Sequence, residues 1–249
     1  MKKDKFVLIT GACGGIGSEL VSGFTNAGYK VIATDVVTPP GGTHHYFVHA
    51  DLEKIASGST EELDKLLKNI EQLLDGHGLV ALINNAAAQV VKPCLELTLQ
   101  DWHQTLSINT IAPFWLTQQL FPLLQEASGS VVNVSSIHAK LTKKNFVAYA
   151  ASKAALSSLT RSMGLELGKK IRINAISPAA VDTSMLKAGF NGNKDKLQEL
   201  GDFHPVGRIA HPKEIADLAL FLISQNASFI NGAVFDLDGG ISSRLYDPA

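Results

Sequence analysis

The sequence predicts an α/β protein, a single doubly wound domain whose mostly parallel sheet has about seven strands flanked by helices. Three observations predict it. Short apolar, β-branched runs alternate with helical stretches from end to end. The first run leads through a glycine turn into a helix. Every residue with chemical promise falls just after a strand end or on a helix entering from one, where open α/β sheets bind ligands.

Composition narrows the function classes. With 249 residues and 45% hydrophobic content the chain can bury a large core. Its 22 basic and 23 acidic residues nearly cancel, and no basic run exceeds pairs such as Lys143-Lys144, so neither nucleic acid nor an anionic membrane is expected as a partner. No apolar stretch approaches the ~20 residues that cross a bilayer. The run after Lys2-Lys3 is too short for a secretory core and leads straight into a glycine turn, so it reads as a first strand. Cys13 and Cys94 are too few for a disulfide framework and fit a reducing, cytoplasmic compartment. No metal site is expected.

Taken in order, Phe6 to Thr10 is the first strand. Gly11-Ala-Cys-Gly-Gly-Ile-Gly17 is the turn, and a helix follows to Gly28. Glycines there allow a tight turn and close backbone approach, while the helix N-terminus offers N–H groups to a pyrophosphate. Lys30 to Asp35 is the second strand. Asp35 ends it, eighteen residues after Gly17, where a carboxylate accepts both ribose hydroxyls of an adenosine and repels a 2′-phosphate. Neither Gly14 nor Val36 offers the cation a phosphate needs, so NAD is expected in preference to NADP.

Thr38 to Gly42 is a turn, and the run from His44 is a third strand ending at Asp51-Leu52, a candidate adenine edge. Leu63, Leu66, Leu67, Ile70, Leu73 and Leu74 form an apolar stripe, so Thr60 to Leu74 is a crossover helix. Gly78 to Ile83 is a buried strand that runs into Asn84-Asn85-Ala86-Ala87, whose asparagines can satisfy backbone groups, touch substrate, or both. Thr98 opens a helical stretch to about Leu124 with Asp101 in its first turn, and Pro113 predicts a kink or break. Asn109 sits among apolar neighbours, so it is either a structural bridge or part of a polar relay.

SVVNVSS is the next strand and places Ser136 at its carboxyl edge. Tyr149 follows thirteen residues later and Lys153 four after that, on one face of a helix that runs to about Leu167. An ammonium beside a phenol favours the phenolate, which makes Tyr149 a candidate acid/base with a lowered pKa. Ile171 to Ile176 is a strand, and Ser177 to Thr183 leaves its end. The polar interval 184–207 reads as a substrate-covering loop. His211 starts a helix through Ile223, and Gly232 to Leu237 is the last strand.

These residues together resemble the short-chain dehydrogenases/reductases over essentially the whole chain. Thr10, Gly11, Gly15, Ile16 and Gly17 match the family's cofactor turn, Asp35 its NAD-selecting acid, and Asp51-Leu52 its adenine pocket. Asn84-Asn85-Ala86 match the following strand end. Pro178, Val181 and Thr183 match the nicotinamide loop that follows Ser177. Gly207-Arg208, Pro212-x-Glu214-Ile215-Ala216 and Asp238-Gly239-Gly240 match the C-terminal pattern. Asn109, Ser136, Tyr149 and Lys153 match the catalytic tetrad, with Tyr149 and Lys153 also on the cofactor.

The resemblance implies a Rossmann-type domain and reversible hydride transfer between NAD(H) and a secondary alcohol or ketone. It also implies a homo-oligomer, a tetramer or a dimer. Asn109 would anchor a water linking Lys153 to solvent. Gln89, His138, Phe146, Ala180 and Met185 are the candidate substrate contacts, and Gln89 with His138 leans toward a small polar or sugar-like substrate. The alternatives are a 3-oxoacyl reductase and a catalytically silent dinucleotide-binding protein. Two positions depart from the family pattern, Ala87 and Ala179, where glycine is usual. Alanine there would be strained by about 1 kcal/mol if φ were positive.

Overall fold

A computed structural model describes residues 4–39 and 46–245. Seven strands form one sheet: β1 (Phe6–Thr10), β2 (Lys30–Asp35), β3 (Tyr46–His49), β4 (Leu79–Asn84), β5 (Ser130–Val134), β6 (Arg172–Pro178) and β7 (Val234–Leu237). Their order is β3-β2-β1-β4-β5-β6-β7, and every neighbouring pair is parallel, as expected of a doubly wound sheet. The helices are α1 (Gly15–Asn26), α2 (Leu52–Ala56), α3 (Thr60–Leu74), α4 (Leu99–Leu106), α5 (Ala112–Gln119), α6 (Phe121–Glu126), α7 (Val147–Leu167), α8 (Ser184–Ala188), α9 (Lys194–Asp202) and α10 (Pro212–Ile223).

Strand alternation divides the core between the two faces. Phe6 and Leu8 of β1 pack with Leu66 and Ile70 of α3 and Leu116 of α5. Val7 and Ile9 pack the other way, against Leu20 and Phe24 of α1 and Ile215 and Ala219 of α10. Because both faces are covered, β1 is buried along its whole length, which is why its sequence is an unbroken apolar run. The apolar stripe of α3 lies inward as predicted, with Leu63, Leu66, Ile70 and Leu74 buried. A buried polar chain links two strands to a helix: Asn84 Nδ2 donates to Asn133 Oδ1 (2.8 Å), and Asn133 Nδ2 to Thr160 Oγ1 of α7 (2.9 Å).

Three expectations are refined or corrected. The third strand ends at His49, and Asp51 caps α2, its Oδ1 accepting from the N–H groups of Glu53 and Lys54. Residues 40–42 of the predicted turn and His44-His45 lie outside the described residues. The stretch from Thr98 is divided. Thr98 and Asp101 form a capping box that starts α4, a π turn occupies Ser107–Ile111, and Pro113 sits in the first turn of α5. Proline has no N–H to continue a ladder, so the irregularity falls where the missing donor costs least. The interval 184–207 is not a loop throughout: α8 and α9 lie within it, capped by Thr183 and Asn193. Polar helices of five and nine residues carry too little apolar periodicity to stand out.

Candidate functional site

Strand order reverses between β1 and β4, which opens a crevice at the carboxyl ends of these strands. Gly11 leaves β1 with φ +63°, and a Cβ there would lie 2.7 Å from Ala86 Cα, so only glycine lets the turn rest on the chain leaving β4. Thr10 locks that contact. Its Oγ1 accepts from the N–H groups of Asn85 (3.0 Å) and Ala86 (3.1 Å), while Asn85 Nδ2 donates to the carbonyls of Thr10 and Gly11. Gly15 and Ile16 open α1 and Gly17 is buried in it. The helix has no side-chain cap and no acid in its first turn, so its positive end is unopposed. Gly15 also touches Thr183, since a Cβ there would lie 2.9 Å from Thr183 Cβ.

Asp35 is anchored rather than consumed. One carboxylate oxygen accepts from Cys13 N–H (2.9 Å) and the other from Val37 N–H (3.0 Å), leaving further lone pairs open. Asp51 Oδ2 faces Lys54 at 3.7 Å, and Leu52 is buried. Pro178 ends β6. Val181 is buried and bridges to Ala210, and Thr183 caps α8. A glycine cradle, an uncapped helix end and a fixed acid fit a dinucleotide. Neither Ala87 nor Ala179 has a positive φ, so the two departures from the family pattern carry no strain.

Ser136 lies just beyond β5 and Tyr149 in the first turn of α7, with the serine hydroxyl close enough to the phenol to favour its ionised form. Lys153 is almost fully buried. Its Nζ donates to the carbonyl of Val134 (2.7 Å) and lies 5.7 Å from the centre of the Tyr149 ring. The expected depression of the tyrosine pKa does not hold in this structure. Burial pushes the phenol above its ordinary value, with the Ser136 hydroxyl opposing, and pushes Lys153 down to about 7. An amine that burial inclines to neutrality, held by a carbonyl, lends the phenol little field.

The Asn109 side chain forms a bridge. It is fully buried in the π turn, its Oδ1 accepts from Ala88 N–H (2.8 Å), and its Nδ2 donates to Ala88 O (2.8 Å) and Ser152 Oγ (3.0 Å). The whole amide is therefore spent bracing the chain after β4 against α7, one turn from Tyr149.

Of the substrate candidates, His138 and Phe146 are brought together with Tyr149. The His138 ring stacks on Phe146 (centroids 4.5 Å, 5° between planes), and both rings meet the Tyr149 ring edge-on, at 5.7 and 6.1 Å. His138 is half-buried. Burial, with Lys143 nearby, drops its pKa to about 4. Ala180 is half-buried, whereas Gln89 and Met185 are exposed and make no hydrogen bond among the described residues. Sequence reading passed over the clamp role of Thr10, whose signal is a threonine immediately before the glycine turn. It also passed over Lys143 beside Phe146, which carries no local signal.

Comparison with known proteins agrees with this geometry. A family model described as enoyl-(acyl carrier protein) reductase matches residues 11–242. A tropinone reductase homolog of Arabidopsis thaliana is 34% identical over 187 residues, 74% of this chain, which spans only 58% of that longer protein. The 3-oxoacyl-[acyl-carrier-protein] reductase FabG of Aquifex aeolicus (strain VF5) is 31% identical, with 95% of this chain and 97% of that protein covered. Among solved structures, ligand-free aldohexose dehydrogenase of Thermoplasma acidophilum superposes with a TM-score of 0.90 at 28% identity, covering 99% and 98% of the two chains. A 4-hydroxyisoleucine dehydrogenase complexed with NADH superposes with a TM-score of 0.87 at 28% identity, covering 97% and 100%.

Proposed function

Because the chain belongs to the short-chain dehydrogenase/reductase family, an assignment that carries NAD(P)-linked oxidoreduction of alcohols and ketones, we propose that it is an NAD-dependent dehydrogenase of small polar or sugar-like secondary alcohols. One observation carries the reading: Ser136, Tyr149 and Lys153 meet beside a crevice whose far strand ends in a fixed acid, Asp35. The turn Gly11–Gly17, with Asn85, Ala86, Asp51 and Leu52, would hold the dinucleotide's adenosine and phosphates. Pro178, Val181, Thr183, Tyr149 and Lys153 would hold its nicotinamide end. The bound nicotinamide supplies the hydride donor or acceptor.

The chain supplies the proton and the geometry. A phenol with a raised pKa is protonated at neutral pH, the form that donates to a ketone oxygen, and Ser136 orients that oxygen. In the oxidising direction Tyr149 must lose its proton, so positive charge gathered around Lys153 is needed there. Asn109 acts on these groups by positioning α7. The segment bearing α8 and α9 covers the crevice, and all of 1–249 works as one domain. Exposed apolar side chains on the loop before α4, on α4, the π turn, α5 and α7, namely Leu95, Leu99, Ile111, Phe114 and Val147, support a homo-oligomer, a dimer or tetramer. No described helix is long and apolar enough to cross a membrane.

The 3-oxoacyl reductase is the second reading, favoured by the FabG relative. Fluorescence titration with NADH and NADPH separates the two, because Asp35 would repel a 2′-phosphate: tighter binding of NADPH overturns the NAD assignment. Tyr149→Phe should still bind NADH while turnover of polyols and sugars falls by at least about 100-fold, as expected for loss of a general acid. Near-normal turnover in that variant would refute the role of Tyr149.

A further inference from the structure

The loop from Ser136 to Asn145 carries three lysines and no acid. One of them, Lys140, is neutralised by Asp236 of β7 (2.6 Å). On the adjoining loop, Lys92 is neutralised by Asp101 (2.7 Å), while its backbone N–H donates to the carbonyl of Asn145 and pins the end of the lysine loop. Lys143 has no carboxylate partner among the described residues. Its ammonium sits 4.7 Å from the centre of the Phe146 ring, the ring on which His138 stacks and which meets Tyr149. An unpaired cation is therefore held two ring contacts from the proton donor. Asn145, in the left-handed region at φ +72°, turns the chain sharply between the lysine and that ring.

His138 adds a directional donor. Its Nδ1 lies 2.9 Å from Thr142 Oγ1. When the threonine hydroxyl donates to Nδ1, the proton rests on Nε2, which has no partner among the described residues and is free to donate. A cation without a counter-ion, a free imidazole N–H and an aromatic floor make a site for an anion on a short carbon chain.

Resting on the dehydrogenase reading, we propose that the substrate is a hydroxy acid or its keto form, whose carboxylate is seated by Lys143 and His138 a few carbons from the carbinol presented to Tyr149. Lys143 and His138 are then specificity-determining residues, and neutral polyols are the poorer substrates.

The test uses the full chain in complex with NADH, so that the phosphate-binding turn is already filled. Short hydroxy- and dicarboxylates, including sugar acids, are titrated against their matching amides, with NADH fluorescence as the readout. Wild type should bind the acids at least about tenfold more tightly than the amides, the effect of one charge-assisted contact. Lys143→Gln should remove most of that preference, Lys143→Glu should reverse it, and His138→Gln should weaken acids and hydroxylated amides alike. For any acid that is turned over with NAD, Lys143→Gln should raise KM about tenfold and leave kcat within about twofold. Equal binding of acids and amides, binding of neither, or a preference untouched by Lys143→Glu overturns the proposal. Failure of NADH itself to bind would instead sink the dehydrogenase reading beneath it.

Discussion

Replacing Asn109 by leucine removes three hydrogen bonds at one stroke while keeping the side-chain volume close. Two belong to the backbone of Ala88, whose N–H and carbonyl each lose a 2.8 Å partner, and one to Ser152 Oγ. An abandoned buried polar group costs about 1–3 kcal/mol, and Ala88 is only half-buried, so solvent recovers part of that. The expected loss is about 2–4 kcal/mol. For a chain of this length each kcal/mol moves Tm by roughly 2–4 °C, so the variant should melt roughly 4–16 °C below wild type. Differential scanning calorimetry reads this directly, with Asn109→Asp as a companion that keeps the acceptor for Ala88 N–H but loses both donors. A midpoint within about 2 °C of wild type would show that the amide is not the brace between the β4 exit and α7.

Two further predictions follow from the same geometry. Thr10→Val keeps the shape of the side chain but deprives the Asn85 and Ala86 N–H groups of their acceptor, so it should weaken NADH binding about tenfold or more and lower Tm by several degrees; unchanged binding would show that the two turns hold each other without it. Acid should act through Asp101 and Glu214, both held down to about 2, Asp101 by Lys92 and Thr98, and Glu214 by Arg208 and the His211 N–H. Their folded pKa values lie below the unfolded ones, so their contribution is complete above the ordinary carboxylate range and is lost as pH falls toward about 2. Glu214→Gln should flatten the fall of Tm across that window, and an identical pH profile would remove Glu214 from the account.

Much of this protein could be read along the chain, because what was legible is local. The unbroken apolar run of β1 announces a strand buried on both faces, and the stripe of α3 announces its inward face. The glycine turn, Asp35 at the next strand end and the four-residue spacing of Tyr149 and Lys153 need only the period of one helix or strand to be placed. What stayed hidden depends on partners far away in sequence. The Asn109 side chain is a bridge because Ala88 and Ser152 arrive on its two sides, 21 and 43 residues away. Asp51 belongs to a helix cap rather than a strand end, and α8 and α9 are too short and polar to show a period. The environment of Tyr149 was likewise decided by packing, since neighbours four apart predict a lowered pKa while burial of the phenol raises it. The stack of Lys143, Phe146, His138 and Tyr149 has the same origin. Sequence spacing sets which face a side chain occupies, but only the closed tertiary structure sets how much water remains around it, and that decides which charges survive there.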